Sequence, residues 1–350
     1  MRPLYISPTG RGGVDFGIQN ILRAVRRAGM PGAELLRLPE LYNFAPWLLG
    51  RGLPARWYEN FDIVQGRSRV AFALRAPGRP LVTTVHHLTT DPDLQPYSSL
   101  QQRLFYRLVE SRYDGWSIRA ADAVVCVSRY TQRQVEQTYG KRDTVLIYDG
   151  IDTDVFVPTP GMARRDDGLP PWRDAPRGEH IRLLFVGNRT RRKGFELLPK
   201  IMERLPASYV LFYTGGFQGS EAAPPHPRMI SIGSPDRAGL VAAYQSCDIL
   251  LFPSRLEGFG IAPAEALLCG RPVVTTNISA LPEVVDDGLN GFLCARDDVA
   301  AYAEAVRRLG EDAGLRRRFG EHGRAKVAQA FGYQQLGQGF ATLYRRLLQR

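Results

Sequence analysis

Cysteine is scarce in this 350-residue chain: four are present, at Cys126, Cys247, Cys269 and Cys294, and no two form a C-x-x-C pair. Each lies in an apolar run or beside a turn, so they read as small buried hydrophobes, with neither a disulfide framework nor a metal site expected. No stretch approaches the roughly 18 consecutive apolar residues that a membrane-spanning helix requires. The segment Met1 to Pro8 lacks the apolar core of about 7–15 residues that marks a signal peptide, so a cytoplasmic location is expected. Blocks of like charge, zinc-finger spacings and aromatic RNP-type motifs are missing too, which argues against nucleic acid as a partner. The net charge is nevertheless +11 and the pI near 9.7. That excess leaves phosphorylated substrates or an anionic membrane surface as its use.

Hydrophobic residues make up 44% and charged residues 23%, ordinary for a soluble globular protein and too apolar for a disordered chain. The length suggests two domains. Short β-rich runs alternate with helical patterns throughout: a strand at Leu4–Ser7, a Gly-rich loop, a helix at Ile18–Arg27, then strands at Leu81–His86, Ala123–Val127 and Val145–Tyr148. From Pro158 to Glu179 the periodicity disappears into Pro, Gly, Asp and Arg, as in a linker. It restarts with strands at Ile181–Val186, Tyr209–Tyr213, Met229–Ile232, Ile249–Phe252 and Pro272–Thr275, interleaved with helices at Phe195–Arg204, Arg237–Gln245 and Ala262–Leu268, and two helices close the chain. Continuous apolar strands between helices predict parallel sheets covered on both faces. The expected fold is α/β, two Rossmann-like doubly wound domains facing across a cleft. The expected limits are 1–160 for the first domain, 161–179 for the linker, 180–330 for the second domain and 331–350 for a final helix. Ligands of such sheets bind at the carboxyl ends of the strands.

The strongest local signal is Pro253-Ser254-Arg255-Leu256-Glu257-Gly258-Phe259-Gly260-Ile261-Ala262-Pro263-Ala264-Glu265. An apolar strand ends, a loop carries Glu257 and two glycines, and a helix opens near Ile261. Backbone N–H groups at such an opening form a phosphate site that Gly allows a ligand to approach closely. Glu265, one turn in, is placed to accept hydrogen bonds from vicinal ribose hydroxyls, and Glu257 to reach hydroxyls on the other side of the phosphates. The competing reading is a strand–turn–helix whose acids merely complement the helix dipole. The residues alone leave the two open.

The set of motifs resembles the retaining glycosyltransferases of GT-B fold, the large family that includes sucrose-phosphate synthases, phosphatidylinositol mannosyltransferases and lipopolysaccharide-core glucosyltransferases. Glu257-x7-Glu265 in its P-S-R-L-E-G-F-G-I-A-P-A-E context carries that resemblance. Val186-Gly187 followed by Arg191-Arg192-Lys193-Gly194, Ala121 to Ser128, Asp149-Gly150-Ile151-Asp152 to Phe156, and Asp287-Gly288-Leu289-Asn290-Gly291-Phe292 extend it over most of residues 1–300. The resemblance implies a nucleotide-activated hexose, UDP- or GDP-linked, moved to a saccharide or lipid-linked acceptor hydroxyl without any cofactor or metal. It implies sugar contacts for Glu257, ribose contacts for Glu265, and Lys193 with a neighbouring arginine neutralising the diphosphate. The family arginine stands about five residues earlier, where this chain has Asn188, and Arg189 and Arg192 are both candidates for it. Gly187, Asn188, Arg189, Ile232, Gly258, Phe259, Gly260 and Ile261 complete the implied donor site, with the base read largely by backbone around Ser231 to Gly233.

The loop Gly10-Arg11-Gly12-Gly13-Val14-Asp15-Phe16-Gly17 fails the dinucleotide fingerprint because Asp15 stands where its third glycine belongs. It also fails as a Walker A loop, since Ile18 and Gln19 follow Gly17. It resembles the family's first-domain glycine loop, so Gly12 and Gly13 are assigned to the donor; a plain tight turn is the alternative. Thr84-Val85-His86-His87 ends a strand and resembles the family's T-x-H-D, which puts His86 near the sugar. In such enzymes the acceptor hydroxyl attacks from the face that the phosphate leaves and a phosphate oxygen takes its proton, so His86 positions the sugar or acceptor without acting as base. Asp152-Thr153-Asp154 is formally D-x-D, a metal motif of another glycosyltransferase fold; here it is expected to cap the exit of the first domain.

Phe331 to Arg350 reads as an amphipathic helix that, in the fold resembled, crosses back to the first domain. Arginines interleave with aromatics between Arg51 and Arg119. Leu104 to Val109, with Arg103, Arg112 and Arg119, makes either a basic amphipathic face for anionic lipid or a helix with its aromatics in the core. The functional expectation is a retaining hexosyltransferase of cell-envelope polysaccharide or glycolipid assembly, peripheral on the inner face of the membrane. A sugar-nucleotide epimerase, or a non-catalytic sugar-nucleotide-binding regulator, is the alternative.

Overall fold

The computed structural model describes residues 1–8, 13–49, 54–141, 143–164, 180–215 and 225–349, without the side chains of residues 13–16. Gly12 and residues 165–179, most of the expected linker, lie outside the described residues. The chain divides into two compact units, Met1–Gly150 with Phe331–Arg350, and Ile151–Ala330.

The first unit is built on a six-stranded sheet of β1 (Pro3–Pro8), β2 (Glu34–Leu38), β3 (Ile63–Arg67), β4 (Leu81–Val85), β5 (Ala123–Cys126) and β6 (Val145–Leu146) in the order β2-β1-β3-β4-β5-β6. Every pairing is parallel. Strands β1, β4 and β5 are buried along their whole length, as sheets covered on both faces require. On one face Ile18, Ile21 and Val25 of the helix Gly13–Arg27 pack with Leu336, Phe340 and Tyr344 of the helix Tyr333–Leu348. The last helix is thus part of the core of the first unit. Its Tyr344 hydroxyl donates to Oε1 of Gln65, a fully buried glutamine on β3, and the Tyr333 hydroxyl donates to Asn20. These bonds satisfy polar groups that burial would otherwise leave costly.

The second unit repeats the plan with β7 (Ile181–Phe185), β8 (Tyr209–Tyr213), β9 (Met229–Ser231), β10 (Ile249–Phe252), β11 (Val273–Thr276) and β12 (Gly291–Cys294). Their order is β12-β11-β10-β7-β8-β9, all parallel. The chain runs outward from β7 to β9, returns to the middle, and runs outward the other way from β10. The neighbours β7 and β10 therefore flank the point where strand order reverses, and loops leaving their carboxyl ends open a crevice for ligands.

Three strands escape the sequence reading: β2, β3 and β12. In β3 the polar Gln65 and small Gly66 interrupt the apolar run, and β12 lies within the D-G-L-N-G turn motif. The chain closes with three helices where two were expected, Val299–Glu311, Ala313–Phe331 and Tyr333–Leu348. Gly332, in extended backbone at φ −73°, ψ 164°, separates the last two, so the final helix starts at Tyr333 and not at Phe331.

Candidate functional site

The crevice of the second unit is built from two loops, one after β7 and one after β10. Leaving β7, the Gly187 N–H donates to Thr214 Oγ1 at 3.0 Å and the same hydroxyl donates to Gly187 O at 3.1 Å, clasping the exits of β7 and β8. Asn188 is exposed, and its carbonyl accepts from the Thr190 N–H at 2.8 Å. Thr190 caps a single 3₁₀ turn, Arg191–Lys193, which Gly194 ends in left-handed backbone at φ +70°. The Arg192 carbonyl accepts from the Arg255 N–H at 2.8 Å, stitching this turn to the loop after β10.

The stitching gathers the charged groups. Lys193 Nζ donates to Glu257 Oε1 at 2.6 Å, and the Ser254 hydroxyl donates to the same oxygen at 2.5 Å. Arg192 Nη1 donates to the Leu256 carbonyl at 2.6 Å and stands 3.8 Å from Glu257 Oε1. Lys193 and Glu257 side chains are only 15% and 11% exposed, so their attraction is little screened. Burial pushes the Glu257 carboxyl up, but Lys193 and Arg192, with the two hydrogen bonds, overcome it and leave the group below its ordinary range. Burial, aided by Arg192, brings the Lys193 ammonium down against the pull of Glu257. The Glu257 N–H donates to Ser279 Oγ at 3.0 Å, which fixes the loop from a third side. Of the two arginines offered by the sequence, Arg192 is the one seen against Glu257, while Arg189 is half-buried in the same loop.

Beyond Glu257 come Gly258, the buried Phe259, and Gly260 at φ +114°, whose carbonyl accepts the first bond of the helix Ile261–Leu268. Ile261 and Ala262 occupy the first turn, where N–H groups have no intrahelical acceptor. Pro263 follows and has no N–H at all. Glu265, one turn in, accepts from the buried Tyr244 hydroxyl at 2.8 Å. Burial raises its carboxyl to about 7, against the opposing effects of Tyr244 and Arg237. Near the carboxyl end of β9, the buried Ile232 commits its N–H to Tyr213 O at 2.9 Å, so a base lying there has to find other donors.

The raised carboxyl has a consequence for stability. Folded Glu265 keeps its proton up to about pH 7, whereas the unperturbed group, at 4.5, loses it earlier. The folded state thus binds more protons between those values. Its contribution is complete below the lower one and is lost as pH rises through the upper. The melting temperature of the ligand-free chain is expected to fall from about pH 5 to about pH 8, and Glu265→Gln to flatten that fall. An unchanged slope in the variant would remove Glu265 as its source.

In the first unit, His86 follows β4 and its Nδ1 lies 3.5 Å from Asp149 Oδ2, so two motifs far apart in sequence converge. Among the described residues its buried Nε2 has no hydrogen-bond partner, an orphan that a ligand hydroxyl would satisfy. Gly13 opens the helix Gly13–Arg27. In the second unit, Asp152 takes Arg237 at 3.0 Å and accepts from the Asp154 N–H at 3.3 Å; this D-x-D is a turn closed by an ion pair. Tyr244, Ser254, Ser279 and Asp149 join the site without a role expected from the sequence. Ser254 and Asp149 stood inside motifs already singled out, whereas nothing local marks Tyr244 or Ser279.

Two sheets of this order, with a basic turn and a Glu-bearing loop meeting at the reversal point of the second, define a GT-B architecture. Residues 5–155 match the family model described as Glycosyltransferase Family 4, and residues 172–326 the one described as Glycosyl transferases group 1. Together the two models, both of glycosyltransferases, cover most of the chain, the first half in family 4 and the second in group 1. It is 28% identical over 333 residues to the lipopolysaccharide core biosynthesis mannosyltransferase LpsB of Rhizobium meliloti, covering 86% of this chain and 88% of that protein. Three other curated relatives are matched over only 59–64% of their own length. The sucrose-phosphate synthase of Thermosynechococcus elongatus superposes with a TM-score of 0.81 at 21% identity over 100% of both chains. Anabaena HepE, in complex with UDP and glucose, gives 0.76 at 19% identity over 98% of this chain and 99% of that one. At these identities the two structures establish the fold.

Proposed function

We propose that the chain is a retaining, metal-independent glycosyltransferase that moves a hexose from a nucleoside-diphosphate sugar to a saccharide or lipid-linked acceptor. The observation that carries this reading is the Lys193–Glu257–Arg192 cluster beside the opening of the helix that bears Glu265. When the donor's C1–O bond breaks, negative charge develops on the departing diphosphate, and fixed cations beside N–H groups stabilise that charge most where water is excluded. Lys193 and Arg192 are placed for that role, which makes a metal unnecessary. Glu257 orients the sugar hydroxyls and Glu265 accepts from the ribose. The acceptor oxygen bonds to C1 on the face that the phosphate leaves, and its proton passes to a phosphate oxygen. His86, in the first unit, is assigned to positioning the acceptor or the sugar. The relation to a lipopolysaccharide mannosyltransferase supports cell-envelope assembly as the setting.

The test is thermal stability against UDP, GDP, ADP and dTDP, each with and without EDTA. A nucleotide that binds only the folded state at about 100 times its dissociation constant adds roughly 2.7 kcal/mol. Stabilisation by one of them, unmoved by EDTA and absent in Glu265→Ala, is the expected result. A response to none of them overturns the donor site. An isomeric nucleotide sugar formed without acceptor would instead identify an epimerase.

A further inference from the structure

Among the described residues, eleven large hydrophobic side chains are exposed, and eight of them fall in two short segments of the first unit, Leu41–Leu48 and Leu100–Trp116. Isolated exposed hydrophobics need no explanation, but a concentrated set marks an interaction surface. Leu100, Leu104, Leu108 and Trp116 are 76%, 57%, 46% and 47% exposed. They recur at multiples of four residues along the helices Leu100–Phe105 and Ser111–Ala120 and the π turn Tyr106–Glu110 between them. A step of four overshoots a turn of about 3.6 residues, and the wider π turn takes up the excess, which keeps the set on one side. Aromatic contacts join the second segment to it: the Trp47 ring lies 5.9 Å from Tyr113, which lies 5.8 Å from Trp116.

Along Leu100 to Ala120 the exposed charge has one sign, whereas an exposed acid, Glu40, adjoins Leu41 in the other segment. Arg103, Arg107, Arg112 and Arg119 are exposed between Leu100 and Ala120. The two acids of the same stretch, Glu110 and Asp114, are 3% and 4% exposed. Glu110 is turned inward to an ion pair with Arg69. The aromatics do not all enter the core: Tyr113 is buried, Phe105 and Tyr106 are half-buried, and Trp116 with the leucines faces water.

We propose that this face docks on an anionic lipid surface, with Leu100, Leu104, Leu108 and Trp116 entering the headgroup boundary and the arginines meeting lipid phosphates. Apolar protrusions among cations, with no exposed anion between Leu100 and Ala120, match the chemistry of such a surface. A second copy of the chain is a poorer occupant. A two-fold pairing would set the same four arginines of each copy against each other. The proposal goes beyond the transfer reading and does not depend on it.

Co-sedimentation with vesicles tests it, using phosphatidylcholine alone and phosphatidylcholine mixed with phosphatidylglycerol. The wild-type chain is expected to pellet with the anionic vesicles and to be released at about 1 M salt, where screening shortens to roughly 3 Å. Leu104→Ser/Leu108→Ser is expected to weaken partitioning by about tenfold or more, with melting temperature and nucleotide response unchanged. Arg103→Gln/Arg107→Gln is expected to remove the preference for phosphatidylglycerol. Wild-type protein left in the supernatant with anionic vesicles overturns the proposal, as does equal binding by the leucine variant. A dimer in solution that the leucine variant dissociates would assign the face to a second copy instead.

Discussion

Lys193→Met is expected to cut sugar transfer by about 10²–10³-fold, the usual loss when a donor aimed at developing charge is removed. It is also expected to destabilise the ligand-free second unit, because Glu257, 11% exposed, loses its 2.6 Å partner. Breaking a buried pair from one side costs about 3 kcal/mol or more, or roughly 6–12 °C in the melting of a unit of this size. Glu257→Gln alone, leaving the ammonium beside Arg192, is expected to destabilise as well. The double variant Lys193→Met/Glu257→Gln separates the two roles, since it removes both charges together. It is expected to recover most of the lost melting temperature while remaining inactive. If the two losses simply add, the pair is not coupled in the way its geometry indicates.

Gly194→Ala has the second-largest expected effect, for a steric reason. A Cβ at this residue would stand 2.1 Å from the Pro253 carbonyl oxygen, at a backbone φ of +70°. Left-handed backbone costs a residue with a side chain about 1–2 kcal/mol, and forcing an atom into a packed site about 1–3 kcal/mol more. The loops after β7 and β10 have to separate, which moves Lys193 away from Glu257, so turnover is expected to fall with stability. Gly288→Ala is the control in the same unit: its φ is +73° but no described residue lies within 4 Å of the added atom. It is expected to show the backbone cost alone. Equal melting temperatures for the two variants would mean that the close approach to Pro253 is not maintained in solution.

The strands differ in how legible they were. The apolar strands β7, β8 and β10 stand out because both faces of a parallel strand are covered, so hydrophobicity runs unbroken along them. Strand β3 does not, because Gln65 reads as a surface residue. It is buried only because Thr84 and Tyr344 satisfy it, the latter 279 residues away. The gap between the last two helices rests on Gly332 alone, which the apolar spacing from Phe331 onward hides.

In the candidate site, Glu257, Lys193 and Glu265 were legible because each sits in or just beyond a turn whose chemistry is local: a glycine that permits the bend, a helix opening, a basic run. The partnership between Lys193 and Glu257 spans 64 residues and depends on β7 and β10 lying side by side. Tyr244 behind Glu265, Ser279 behind Glu257 and Asp149 beside His86 were invisible for the same reason.

The sequence by itself determined the alternation of strands and helices, the turn chemistry and the family, since all three follow from residues a few positions apart. Only the tertiary structure decided that Arg192 stands against Glu257, that burial beside a tyrosine raises the proton affinity of Glu265, and that leucines of the first unit face water. Each of these depends on which side chains burial brings together and which solvent it removes, and that is a property of the packed chain.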